Sequence, residues 1–238
     1  MFDAFSAHSY LVVGGNHETI EVVELINSNS TLSFGELPTQ RWGTVGGILG
    51  NALIVCGGGY LQDMFDTCLT FDRNQWNESH SMNEKRRFAA GVGINSTTFW
   101  ILGGWNTSGT KSFNSSDVFL YSTEFIVDGQ AVGVPGTDLP YAMGGMCAVK
   151  LSEKEIFLIG GEDESNTKNE VWIFNPQNGF ERMLGPPLNI KRSHHSCGTM
   201  RDHGKTVIVV AGGYENEDEY LDSVEIYDPT DNTWNFGK

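Results

Sequence analysis

Five times along this chain an apolar run ends on a pair of glycines: LVVGG at 11–15, LIVCGG at 53–58, FWILGG at 99–104, IFLIGG at 156–161 and VIVVAGG at 207–213. The first glycines of these pairs, Gly14, Gly57, Gly103, Gly160 and Gly212, lie 43, 46, 57 and 52 residues apart. Each apolar run has the length of a strand and is too short for a buried helix. Two glycines at its end let the backbone turn with positive φ and let a second backbone come close. A shared period near fifty marks a supersecondary unit that hides its apolar face only against a copy of itself. The chain is held to a repeat architecture built from strands.

The last unit is the clearest. It reads KRSHHSCGTM at 191–200, TVIVVAGG at 206–213, DSVEIYDP at 222–229 and NTWNFG at 232–237. The expected strands run over 193–200, 206–211 and 223–227, the third alternating as a half-buried strand should, with a fourth carrying Trp234. Downstream of the double glycines, Leu25, Phe71, Tyr121, Phe174 and Tyr227 close the third strand of each unit. A second large residue follows at Phe34, Trp76, Phe125, Phe180 and Trp234. Upstream of the later pairs, small-residue strands are led by Arg41, Arg86 and Arg87, Tyr141, and Arg192. An aromatic ring wedged between such units buries about 150–250 Å², roughly 4–6 kcal/mol gross, so these rings read as core.

At these points the sequence resembles the kelch-repeat family, over essentially its whole length. The likeness rests on the double glycines (Gly14, Gly15, Gly57, Gly58, Gly103, Gly104, Gly160, Gly161, Gly212, Gly213). It rests too on the paired aromatics, of which Tyr121, Tyr227, Trp76 and Trp234 are the type, and on the arginine before the innermost strand in three of the repeats. The resemblance implies an all-β propeller with blades of four strands, as one domain over 1–238 with repeats near 9–38, 39–82, 83–138, 139–186 and 187–238. The first repeat starts at its second strand, so nineteen strands are expected rather than twenty. That fits a five-bladed ring with one incomplete blade, or a fragment of a six-bladed ring. The resemblance further implies a non-catalytic module for protein–protein interaction. Two alternatives stay open: an intracellular substrate adaptor for a ubiquitin ligase, without its recruitment domain here, and a secreted enzyme on a kelch-like scaffold, a copper oxidase or sugar mutarotase.

The partner is expected to be a protein. Thirty acidic residues against fifteen basic ones leave a net charge of −15, a field that repels a phosphate backbone and argues against nucleic acid. No apolar run reaches eighteen residues, which argues against membrane insertion. If the strands run antiparallel outward from the axis, the loops before each innermost strand and those after each double glycine share one face. Arg41, Arg86, Arg87 and Arg192 then line a mouth, with Trp105 among the loops around it. Arginines so placed either grip a partner's carboxylates or clamp carbonyls of their own blade. Unequal loops on a regular scaffold are where recognition is expected.

The four cysteines pair on this reading as Cys56 with Cys68 across a hairpin, and Cys147 with Cys197 on neighbouring innermost strands; buried thiols are the competing reading. A bridged loop of about 12 residues stabilises by roughly 3 kcal/mol. Glycosylation sequons stand at Asn29, Asn77, Asn95, Asn106 and Asn114, read as loops or, for Asn77, just past a strand. Together these favour an extracellular protein over a cytoplasmic one. Because MFDAFSAHSY has neither a basic segment nor an apolar core, that reading expects an N-terminus lying upstream. His194 and His195 are adjacent and point to opposite faces of a strand, and no second tyrosine–histidine pair accompanies Cys197, so neither metal nor cofactor is expected.

Overall fold

The computed structural model describes residues 10–13, 22–27, 30–60, 63–72, 74–107, 117–216 and 219–237. Among them there is no α-helix, and one 3₁₀ turn, Pro176–Asn178. The first sheet has three antiparallel strands, Tyr10–Val13, Val22–Asn27 and Ser30–Glu36. Four four-stranded sheets follow. The second is Val45–Leu49, Ala52–Cys56, Thr67–Asp72 and Gln75–Ser81. The third is Ala90–Asn95, Thr98–Leu102, Thr123–Val127 and Gln130–Val132. The fourth is Cys147–Ser152, Glu155–Ile159, Val171–Asn175 and Glu181–Leu184. The fifth is Ser196–Asp202, Lys205–Ala211, Val224–Asp228 and Thr233–Phe236. Within each the strands lie side by side in chain order, and the five sheets hold the nineteen strands expected.

The innermost strands of the second to fifth sheets pack against one another in succession. They line an open axial cavity of about 680 Å³ bordered by Gly46, Gly47, Gly91, Gly93, Lys150 and Cys197. Apolar seams fill the space between neighbouring sheets. The seam between the third and fourth joins Trp100, Leu102 and Phe125 to Met143, Ile156, Leu158 and Phe174. The seam between the fourth and fifth joins Phe157, Ile159 and Val171 to Ile208, Val210, Tyr227 and Trp234. The Trp234 indole donates to the Pro186 carbonyl at 3.0 Å, so its polar edge is satisfied in the seam.

The double glycines sit where the sheets meet. The second glycine of each pair donates its N–H to a carbonyl of the next sheet: Gly58 to Arg86, Gly104 to Met143 and Gly161 to Arg192, each at 2.9 Å. The first glycine has positive φ, and a Cβ there would lie 2.4–2.5 Å from that same carbonyl oxygen at Gly57, Gly103 and Gly160. Gly14 and Gly15 lie outside the described residues. Gly212 has the same φ sign, but the nearest described atom to its Cβ position is an oxygen at 3.7 Å.

Three expectations are corrected. Tyr121 does not wedge between sheets: it is 60% exposed and precedes the third strand, whose matching position is taken by Ile126. The reason is that Ser122, not Tyr121, marks the strand start, since its carbonyl is the one Arg86 holds. Phe125 lies in that third strand rather than the outer one; it stacks on Trp100 at 5.2 Å, with Phe180 of the next sheet at 5.0 Å. Tyr141 does not lead the fourth innermost strand, because the position of Arg41, Arg86 and Arg192 falls to Met143.

Gly103→Ala and Gly136→Ala separate backbone strain from close approach. Both glycines have positive φ, but nothing lies within 4 Å of a Cβ at Gly136. Urea unfolding is expected to show a cost of about 1–2 kcal/mol for Gly136→Ala. Gly103→Ala adds roughly 1–3 kcal/mol more for the clash with Met143 and Leu139.

Candidate interaction face

The expected cationic mouth is not on the surface. Arg41, Arg86, Arg87 and Arg192 are all buried, Arg192 completely. Three of them clamp their own sheet. Arg86 donates from Nη1 to the carbonyls of Gly103 at 2.8 Å and Ser122 at 3.1 Å, and from Nη2 to Glu124. Arg192 donates to the carbonyls of Gly212 at 2.9 Å and Ser223 at 3.2 Å, and pairs with Glu225 at 2.9 Å. Arg41 reaches Gly57 and Thr67 in the same way, with Leu69 where the others have a carboxylate. The two buried carboxylates are fully engaged: Glu225 also accepts from the backbone of Asn189 at 2.7 Å and Ile190 at 3.2 Å. A buried charge needs such partners. The structure thus decides between the two readings of these arginines in favour of the clamp.

What lines the mouth instead is a ladder of residues two places after the clamp position. Phe88 N–H donates to Gly43 at 2.7 Å, Gly145 to Phe88 at 2.9 Å and His194 to Gly145 at 2.8 Å. All four have positive φ, between 53° and 66°. Glycine takes that conformation freely, whereas Phe88 and His194 take it at a cost of about 1–3 kcal/mol each. Left-handed backbone turns their rings into an aromatic cluster over the axis. Phe88 meets Trp42 at 5.3 Å, Trp105 at 5.0 Å and His194 at 4.3 Å, while His194 stacks on Tyr214 at 5.1 Å. Beneath them the Arg87 guanidinium lies 4.6 Å from the Trp42 ring and 5.5 Å from Trp105. The Tyr214 hydroxyl donates to the Glu162 carboxylate at 2.7 Å, which closes the cluster on the fourth sheet.

The two loop types do share this face. The residue after each clamp position bridges to the segment after the double glycine: Trp42 with Gly59, Arg87 with Trp105, Gly144 with Glu162 and Ser193 with Tyr214. Those segments are more ordered than loops. Three form two-stranded ladders, Gly59–Tyr60 with Asp63–Met64, Trp105–Thr107 with Asp117–Phe119, and Tyr214–Asn216 with Glu219–Tyr220. The fourth is tied by one bridge from Glu162 to Thr167. Their tips bring Asp63, Glu164, Glu219 and Asp222 to the rim, with Tyr220 82% exposed among them. Of this face the sequence reading found Trp105 and missed Trp42, Phe88 and Tyr214. The signal was available, since Trp42, Phe88 and His194 each follow a clamp position by one or two residues.

Burial and the positive Arg87 push the His194 imidazole down to about 4, although Glu162 lies 3.5 Å from its Nδ1. Burial, then Arg192 and His194, push His195 down to about 3. Both rings are neutral at pH 7. His203, by contrast, is exposed beside Asp202. Among the described residues no three His, Cys, Asp or Glu are grouped to hold a metal.

The structure joins Cys56 to Cys68 and Cys147 to Cys197 as disulfides. The first links register partners inside the second sheet; the second staples the fourth sheet to the fifth beside the axial cavity. Asn29 and Asn114 lie outside the described residues. Asn77 is within the outer strand of the second sheet rather than past it, Asn95 ends the third sheet's innermost strand, and Asn106 lies in a short strand of this face.

Antiparallel sheets set radially about a cavity, innermost strand to innermost strand, make this chain a β-propeller. Residues 191–238 match the Kelch motif, and that match with the arrangement of the sheets is consistent with the kelch-repeat family. No curated protein matches the chain. Kelch propellers are commonly scaffolds for protein interaction.

Arg86→Met is expected to cost about 3–5 kcal/mol by stranding Glu124. Arg86→Met with Glu124→Leu should recover much of that loss, because Met143 and Leu69 already serve at the equivalent positions of neighbouring sheets. A double-mutant cycle in urea reads the difference. A second expectation concerns acid. Unfolded histidines take up protons from about pH 6.5 downward, but the folded rings do so only near 4 and 3. Stability is therefore full above pH 6.5 and falls from there to about 4, by about 1.4 kcal/mol per pH unit for each histidine. His194→Asn should flatten this limb, and asparagine tolerates the left-handed backbone.

Proposed function

We propose that this propeller is a non-catalytic interaction module that captures a protein partner on the aromatic mouth. The observation that carries the reading is the pair of strained residues. The left-handed backbone joins successive sheets, and Gly43 and Gly145 adopt it without strain, whereas Phe88 and His194 bear its cost and so place two rings among Trp42, Trp105 and Tyr214. Strain kept at one place in a regular scaffold is a sign of use. Rigid aromatic side chains lose little entropy on binding and dominate interface energetics. The short ladders around them differ from sheet to sheet, which gives each side of the mouth its own shape. The acidic rim slows approach of acidic partners and favours basic ones. The disulfides support an extracellular setting, where such bonds persist.

The test is capture from the extracellular fluid of the source tissue, with the folded chain as bait. Trp105→Ala and Tyr220→Ala are compared with the parent after their melting temperatures are measured. Loss of one retained protein by roughly tenfold or more, the scale of a hot-spot residue, supports the reading when Tyr220→Ala melts like the parent. Retention undiminished by either change places the binding surface elsewhere.

A further inference from the structure

We propose that Asn95 carries an N-linked glycan, set over the end of the axial cavity opposite the mouth. The residues are Asn95-Ser96-Thr97, at the tip of the hairpin between strands Ala90–Asn95 and Thr98–Leu102. All three are exposed. The side chain is already arranged as an acceptor. Asn95 Oδ1 accepts the Thr97 backbone N–H at 2.9 Å and the Thr97 hydroxyl at 3.1 Å. Both bonds polarise the amide through its oxygen and do not engage its nitrogen. In the transfer, the amide nitrogen attacks the anomeric carbon of a polyprenyl-diphosphate-linked oligosaccharide. The new bond is C–N, the bond from that carbon to the diphosphate oxygen breaks, and the amide gives up one proton.

The other described sequons lack this geometry. At Asn77 the hydroxyl of Ser79 donates instead to the Cys68 carbonyl at 3.2 Å. Asn106 is half-buried and its strand is paired with Asp117–Phe119. The turn at Asn95 is local to three residues and does not draw on the rest of the sheet. The two disulfides are the independent mark of a chain that meets the compartment where this transfer occurs.

The place has a consequence. Strand Ala90–Asn95 starts beside Phe88 at the mouth and ends at Asn95, roughly 17–20 Å away at about 3.3 Å per residue. Asn95 and Ser96 line the axial cavity at that far end. A glycan there covers the cavity floor and leaves the aromatic mouth open.

The test expresses the chain behind a cleavable leader in animal cells and maps glycopeptides from both secreted and cell-retained protein. The expected result is a glycan on the peptide holding Asn95, released by an amidase that leaves a carboxylate at that position. Asn95→Gln and Thr97→Ala should each lose one glycan, and Thr97→Ser should keep it. Finding that peptide unmodified in translocated protein overturns the proposal, as does a glycan pattern unchanged by Thr97→Ala.

Discussion

One residue position ties each sheet of this protein both to itself and to its neighbour. The carbonyl of Arg86 accepts the Gly58 N–H of the sheet before it, while the Arg86 side chain holds the Gly103 and Ser122 carbonyls of its own sheet. Arg192 repeats this with Gly161 on one side and Gly212 and Ser223 on the other. The joint works only if the preceding sheet comes within a hydrogen bond of that carbonyl, and a side chain at the glycine would prevent it. Glycine pair and buried arginine are therefore two halves of one contact. In the fourth sheet Met143 keeps the backbone half and replaces the side-chain half with apolar packing.

Because that joint consumes the arginines, the side chains presented at the mouth are those that stand just past them. The backbone leaves each clamp residue toward the axis, and two positions on it is forced through the left-handed region to meet the next sheet. Where the position is glycine, as at Gly43 and Gly145, the mouth gains no side chain. Where it is Phe88 or His194, a ring is held over the axis by backbone hydrogen bonds, with both neighbouring sheets at Phe88 and with Gly145 at His194. The position of the aromatic cluster follows from how the sheets are joined, while the rings themselves do not, since glycine serves at Gly43 and Gly145. Burial, with the positive charge of Arg87 beneath the rings, keeps His194 neutral.

The places where reading along the chain went astray have a common cause. Tyr121 and Phe125 were ranked by their distance from a glycine pair, but the third sheet carries a long insertion between its second and third strands, and distance then misaligns. Hydrogen-bond position realigns them: Ser122 is held by Arg86 as Thr67 is by Arg41 and Ser223 by Arg192. Likewise an arginine before a small-residue strand looks the same in sequence whether it faces solvent or a carbonyl. Only the neighbour's backbone distinguishes the two, and that backbone is some fifty residues away.

The amino-acid sequence by itself determined the repeat, the count of strands and the glycines at the sheet ends. Each of these follows from periodicity and local conformational preference, which are carried by a few adjacent residues. Tertiary structure alone decided that the arginines are internal, that the short segments after the glycines pair as ladders, and that Trp42, Phe88, Trp105, His194 and Tyr214 meet. Those residues come from three different sheets, and their contact depends on the angle at which successive sheets are joined, a quantity no single stretch of the chain contains.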